Sequence, residues 1–338
     1  MSARPTKATE PSPKRRSSGT LRIDPAAIAP FRERRPGERP SAPPVAGAAG
    51  AGVRLVLGGK TATLLLSASS DLSSTLASLL ARCGARVLES ETCGSGDRDY
   101  VFQRIHADTS AVAAGVSIEG RIAEALRAEQ LTLEVERVER KHRVALFVSK
   151  FDHCLYDLLL RHRAGELDCE IPVVVSNHPE LGAVAKQFDT EFALIPKTNA
   201  NKAEAEQREF ELLESRSVDL VVLARYMQVL SNEFVSRWEG RVINIHHSFL
   251  PAFVGAKPYH QARARGVKLI GATAHYASAT LDEGPIIEQD VVRCTHRDTV
   301  DELVRKGRDL ERQVLSRAVR WHLQNRIIVH GNTTVVFG

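Results

Sequence analysis

Hydrophobic and polar positions change their period twice along this chain. Between about residues 53 and 138, short apolar runs alternate with amphipathic ones. The run 61–68 (TATLLLSA) predicts a strand, 72–83 has helical spacing closed by Gly84, and 85–90 reads as a second strand. Gly94-Ser95-Gly96-Asp97 is turn chemistry, after which 100–106 (YVFQRIH) alternates. Positions 116–127 predict a second helix and 131–138 (LTLEVERV) a half-buried strand. The resulting order is βαββαβ, the split-βαβ pattern of small regulatory domains. No paired acids, metal-ligand spacing or nucleophile beside a base occur here, so these residues predict a binding or packing module.

Past a polar joint at 139–142 (ERKH), the texture becomes a series of continuous apolar runs at 144–149, 171–176, 192–195, 220–224, 242–246 and 269–275. Most are rich in β-branched residues and are separated by helical segments. Strands that are apolar without alternation are buried on both faces, which predicts a largely parallel sheet covered by helices, an α/β Rossmann-like domain. A long helix is expected at 299–323 and a hairpin at 327–337 around Gly331-Asn332. No internal repeat is visible.

Composition adds a third region. The first fifty residues hold ten Lys or Arg and four acids, a net of +6, so a chain total of +5 leaves −1 for the remainder. They also carry nine of the fifteen prolines and run into the low-complexity stretch 43–52 (PPVAGAAGAG). Residues 1–52 therefore read as a disordered basic leader. The clusters Lys14-Arg15-Arg16 and 32–35 suit an anionic partner or an organellar address. Nothing aromatic interleaves them, and the prolines count against an amphipathic targeting helix. Nucleic acid is not an expected partner, and aromatic content of 5% excludes a broad base-stacking platform. No apolar run approaches the roughly 18 residues of a spanning helix, and no signal-peptide core opens the chain. A membrane role is not expected. Cys83, Cys93, Cys154, Cys169 and Cys294 form no C-x-x-C pair, and no glycine-rich dinucleotide fingerprint follows a strand. The expectation is a reduced cytoplasmic protein with no metal and no redox cofactor.

In an open parallel sheet, chemistry collects beyond the carboxyl ends of strands. The run 242–248 (VINIHHS) ends in polar residues, and alternation puts Asn244 and His246 on one face, with Ile243, Ile245 and His247 on the other. A second polar cluster, 276–284 (YASATLDEG), contains Asp282 in a turn ended by Gly284-Pro285. An amide, an imidazole and a carboxylate together can polarise a carbonyl and protonate a leaving amine, which is acyl-transfer equipment with water or a second substrate as nucleophile. On residues alone, a hydrogen-bonded structural pair and an ordinary turn explain these positions as well. His275 reads as a satisfied core histidine. Positions 225–230 (RYMQVL) read equally as a ligand wall or as loop packing.

The stretches ARYMQVLS (224–231), RVINIHHSFLPAFVGAKPYHQA (241–262), GVKLIGATAHY (266–276) and LDEGPIIEQDV (281–291) closely resemble the formyltetrahydrofolate deformylases. VSKFDHCLYDLL (148–159), IPVVVSNHPEL (171–181) and NKAEAEQ (201–207) look like the same family. The resemblance implies an ACT domain of ferredoxin-like fold at 53–138 and a formyltransferase-like catalytic domain at 143–338. It implies hydrolysis of 10-formyltetrahydrofolate by water to tetrahydrofolate and formate, the latter for purine synthesis, with folate as substrate rather than cofactor. Asn244, His246 and Asp282 would be catalytic, and His275 would stand behind them. Arg225, Met227, Leu230 and the backbone of Ala277, Ser278 and Thr280 would line the folate pocket. Self-association is also implied. At the front, Asp71-Leu72-Ser73-Ser74-Thr75 stands where the family carries an Asp-Arg-Pro-Gly-Ile-like turn. Ser74 in place of glycine crowds an effector's approach to the backbone. The leader has no counterpart in the family pattern.

Three other functions compete. A formyltransferase acting on a phosphorylated amine needs a glycine-rich phosphate cradle after its first catalytic strand, and 149–154 (SKFDHC) has no glycine, although Lys150 and His153 remain able to meet an anion. A catalytically silent amino-acid sensor is opposed by the intact Asn244, His246 and Asp282. Nucleic-acid binding through the leader would be strongly salt-dependent.

Overall fold

The computed structural model describes residues 51–94, 100–251 and 258–338, together with two two-residue strands ahead of them, β1 (Arg32–Glu33) and β2 (Val45–Ala46). Both short strands fall within the stretch read from sequence as a leader. The rest of that stretch, and positions 95–97 of the expected turn, lie outside the described residues. Among the described residues no helix is long and apolar enough to cross a membrane.

The first sheet contains the expected βαββαβ series as β4 (Thr61–Ala68), α1 (Ser73–Arg82), β5 (Arg86–Gly94), β6 (Val101–Asp108), α2 (Ile118–Ala128) and β7 (Thr132–Val138), preceded by a strand that periodicity did not single out, β3 (Gly52–Gly58). β3 forms an antiparallel hairpin with β4 across Gly59, whose φ of +55° suits glycine, and inserts between β4 and β7. The sheet order is β1-β7-β3-β4-β6-β5. Leu55, Leu64, Leu66 and Ile105 of this sheet bury against Leu76 and Leu80 of α1 and Ile122 and Leu126 of α2. Its other face packs Leu65 and Phe102 against Ile328 and Phe337 at the chain's end.

The second sheet has seven strands in the order β10-β9-β8-β11-β12-β13-β14, with β8 at His142–Val148, β9 at Cys169–Ser176, β10 at Glu191–Leu194, β11 at Leu220–Leu223, β12 at Val242–His246, β13 at Leu269–Tyr276 and β14 at Ile286–Arg293. The first five run parallel. One face buries against α3 (His153–Arg163), α4 (Gly182–Gln187) and α8 (Val300–Leu323), the other against α5 (Lys202–Ser215) and α6 (Asn232–Arg237). A short α7 (Pro258–Arg265) packs against α8. The expected hairpin is β15 (Ile327–His330) and β16 (Thr333–Val336).

β13 and β14 are antiparallel to their neighbours. The carboxyl end of β13 therefore lies beside the amino end of β12, as the Ala277 N–H bond to the Val242 carbonyl at 2.9 Å records. A connection of nine residues, 277–285, is too short for a crossover, so the pair must be antiparallel. It folds back instead of running on. Tyr276 N–H meets the Pro285 carbonyl at 2.9 Å, and Asp282 takes a φ of +60°. A Cβ at Gly284 would lie 1.8 Å from the Tyr276 oxygen, so only glycine lets the chain pass there.

Two predictions follow from this packing. Gly284→Ala must displace the 277–285 loop, so the variant's melting temperature should fall, overpacking of this kind costing about 1–3 kcal/mol. A melting temperature equal to that of wild type would show that the loop tolerates the side chain. The second concerns pH. His322 Nδ1 is hydrogen-bonded to Tyr276 Oη at 2.8 Å. Burial, with positive charge on His142, Arg54 and Arg241, lowers His322 to about 3, and burial also lowers His275. Unfolded histidine takes up its proton near 6.5, so below that pH the unfolded chain holds more protons and native stability drains away as pH falls toward the depressed native values. The melting temperature should therefore drop between pH 7 and 5, with a shallower slope in His322→Gln; identical slopes would remove His322 from this account.

Candidate active site

β12 is a five-residue strand buried almost throughout, and its pleat sorts its side chains. Ile243 and Ile245 join the core under α3 and α8, while Val242 joins the core under α5 and α6. Asn244 and His246 continue the Val242 face. The antiparallel register sets His275 opposite Asn244 and Thr273 opposite His246, so His275 shares that face. The returning loop then lowers Asp282 onto the group.

Asn244 Nδ2 lies 3.1 Å from His275 Nε2. His275 Nδ1 lies 2.9 Å from the Tyr276 carbonyl oxygen, which can only accept, so Nδ1 carries the proton and Nε2 offers its lone pair to Asn244. Burial, the largest influence, holds His275 neutral. One N–H of Asn244 is thereby fixed, and the second is left for a ligand. His246 Nδ1 sits 3.2 Å from Asp282 Oδ1, with His275 Nε2 at 3.8 Å from the same oxygen. The hydrogen bond from His246 is the main reason that the Asp282 carboxyl lies below its usual range. With Nδ1–H given to the carboxylate, His246 Nε2 is buried without a protein partner among the described residues. A buried polar atom left so costs about 1–3 kcal/mol, which marks the place where a ligand would be bound. The His247 ring stacks on His246 at 5.3 Å but belongs to the other face, and burial lowers it to about 4.

Beyond β11 the loop 224–231 is held from both sides. Ser149 Oγ accepts the Met227 N–H at 2.9 Å and donates to Asn177 at 2.7 Å. Tyr226 donates to Glu209 on α5 at 2.8 Å, Lys197 is 2.8 Å from the same carboxylate, and Ser231 N–H donates to Glu206 at 3.0 Å. Leu230 and Ala277 pack against the same core cluster as Val242, so the two segments face each other on the catalytic side. Met227 is half exposed, Thr280 is exposed, and Ser278 Oγ donates to the Thr280 carbonyl at 2.7 Å, which shapes that rim.

Arg225 departs from this group. Its φ is +65°, and its buried side chain turns to the opposite face, over the Phe151 ring at 5.0 Å and to within 3.3 Å of Glu311 Oε2 through Nε. Glu311 also accepts from His153 Nε2 and Tyr259 Oη, each at 2.8 Å. Burial alone would raise this carboxyl, yet His153 and Arg225 hold it below its usual value. His153, Cys154 and Glu311 offer ligand atoms all within 4.8 Å of one another. A cation fits poorly there: the carboxylate already faces a guanidinium, and burial pushes the Cys154 thiol well up, away from the thiolate that would ligate. Sequence reasoning missed Glu311. Its signal is an acid on the buried stripe of α8, between Leu310 and Val314.

Residues 142–319 match the family model described as formyl transferase. A formyltetrahydrofolate deformylase of Synechocystis sp. is 60% identical over 212 residues, which are 62% of this chain and 74% of the relative. The crystal structure of a formyltetrahydrofolate deformylase from Pseudomonas syringae superposes with a TM-score of 0.74 at 39% identity, over 83% of this chain and 95% of that one. A glycinamide ribonucleotide transformylase from Symbiobacterium toebii gives 0.55 at 29% identity over 59% of this chain and 95% of its own. The expected α/β fold and the resemblance in the motifs agree with these likenesses, and the chain belongs to the formyltetrahydrofolate deformylases of the formyl transferase family.

Proposed function

We propose that this chain hydrolyses the N10-formyl group of 10-formyltetrahydrofolate, with Asn244, His246 and Asp282 as the catalytic residues. The observation that carries the assignment of roles is the convergence of the three side chains on one face of β12, His246 Nδ1 being 3.2 Å from Asp282 Oδ1. The free N–H of Asn244 and a protonated His246 Nε2 donate to the formyl oxygen as it becomes an oxyanion. A single such donor elsewhere contributes about 3–4 kcal/mol. Asp282 stabilises the imidazolium through Nδ1 and orients the attacking water with its other oxygen. Water adds to the formyl carbon, the carbon–N10 bond breaks, and the proton given up by water or by His246 ends on N10. The products are tetrahydrofolate and formate. Folate is the substrate, and each step uses only these side chains and water, so the reading includes no metal or redox cofactor.

The loop 224–231 and the rim 277–280 form the folate wall in this reading, with Met227 and Leu230 against the pterin and the backbone of Ala277, Ser278 and Thr280 opposite. His275 is a positioning residue: it fixes the Asn244 amide and touches no reacting atom.

Purified protein given 10-formyltetrahydrofolate should release formate. His246→Ala and Asp282→Asn should each lower the rate by about 10²–10⁴-fold, the contribution typical of positioned proton transfer, while folate binding stays within a few-fold. Wild-type turnover in either variant would remove these roles. The positioning role has its own test in a double-mutant cycle. His275→Ala should lower kcat with little change in KM, and adding it to Asn244→Ala should cost little more, because both remove the same oriented donor. Additive losses would place His275 in a separate function.

A further inference from the structure

The hydrolase and the transformylase neighbours share this fold, so some feature of the chain must keep an amine away from the formyl carbon. We propose that Arg225, clamped by Glu311, is a specificity-determining residue that closes the acceptor side of the site to everything larger than water. This inference rests on the hydrolytic reading above.

The site lies at the carboxyl edge of β8, β11 and β12, with Asn244, His246 and Asp282 on one face. On the other face of the same edge stand His247, Arg225, His153 and Glu311. The two are contiguous, since His247 stacks on His246 at 5.3 Å and its ring lies 6.4 Å from that of Tyr259, which bonds Glu311. In this reading, an acceptor approaching the formyl carbon from the side opposite folate meets this face.

Three observations mark the obstruction as built. Arg225 holds a left-handed backbone, φ +65°, which strains a residue with a long side chain and would not strain glycine. Its side chain is buried on Phe151 and against Glu311. Helix α8 gives up a side chain to complete the clamp: a Cβ at Gly307 would lie 1.9 Å from Tyr259 Oη, the group that donates to Glu311. The charges also close on themselves. Glu311 faces Arg225 and accepts from His153, so the Arg225 guanidinium is already paired and is not offered to a phosphorylated amine.

Removing the Arg225 side chain should let an amine do what water does. Its nitrogen bonds to the formyl carbon, the carbon–N10 bond breaks, and the proton lost by the amine ends on N10, giving an N-formyl amide and tetrahydrofolate. The test incubates wild type and Arg225→Gly with 10-formyltetrahydrofolate and glycinamide, measuring formate and N-formylglycinamide together. Wild type should yield formate with only a trace of amide. Arg225→Gly, whose backbone suits the site, should divert formyl groups to the amide in proportion to glycinamide, raising the amide-to-formate ratio by about 10–200-fold, the range over which pocket volume discriminates. Arg225→Lys, which keeps the charge facing Glu311 and most of the bulk, should leave the amide-to-formate ratio near that of wild type. If the glycine variant does not fold, Arg225→Asn, which also tolerates left-handed backbone, takes its place. A folded variant that releases formate but forms no more amide than wild type overturns the inference; a wild type that releases no formate overturns the hydrolytic reading instead.

Discussion

The structure turns on the hydrogen bond from His246 Nδ1 to the Asp282 carboxylate. It fixes which imidazole nitrogen is free, and it holds the carboxylate ionised beside the imidazole that the proposed reaction uses. Chain topology works against it, since β13 is antiparallel and leaves the sheet at the wrong end. The contact exists because the 277–285 loop returns across the sheet, through a glycine that passes under a carbonyl and an aspartate in left-handed backbone. Aspartate tolerates that conformation better than most residues, so the chemistry and the turn select the same side chain.

Around this contact the protein spends buried charge in two places. Glu209 on α5 and Glu311 on α8 reach the 224–231 loop from opposite faces of the sheet, one through Tyr226 and the other through Arg225. Buried ion pairs are weak sources of net stability, but removing one partner is costly, so they hold a backbone in one arrangement. The loop between them carries Met227 outward. In the proposed reading, hydrolysis and transfer differ in what stands opposite the folate wall.

Much of this was legible in the residues. Continuous apolar runs located the parallel strands, and the interruption of β12 by Asn244 and His246 marked the site face. Strand direction was not legible, because an apolar run carries no information about which way its neighbour points; β13 read as one more member of a parallel set. β14 was missed because Ile286–Arg293 (IIEQDVVR) mixes acids with its apolar positions at a half-exposed edge. β3 was missed because its role depends on β7, some eighty residues on. Glu311 lacked a visible partner, since His153 is 158 positions away. Catalytic roles came from the resemblance in the motifs, not from spacing; the geometry then brought Asn244, His246, His275 and Asp282 together and turned Arg225 elsewhere.

The most direct test is a crystal structure with a non-hydrolysable analogue of 10-formyltetrahydrofolate bound. The account predicts the formyl oxygen within about 3 Å of both Asn244 Nδ2 and His246 Nε2, with a water on the Asp282 side of the carbon. A formyl group turned away from these two nitrogens, with folate bound in the same cleft, would contradict it.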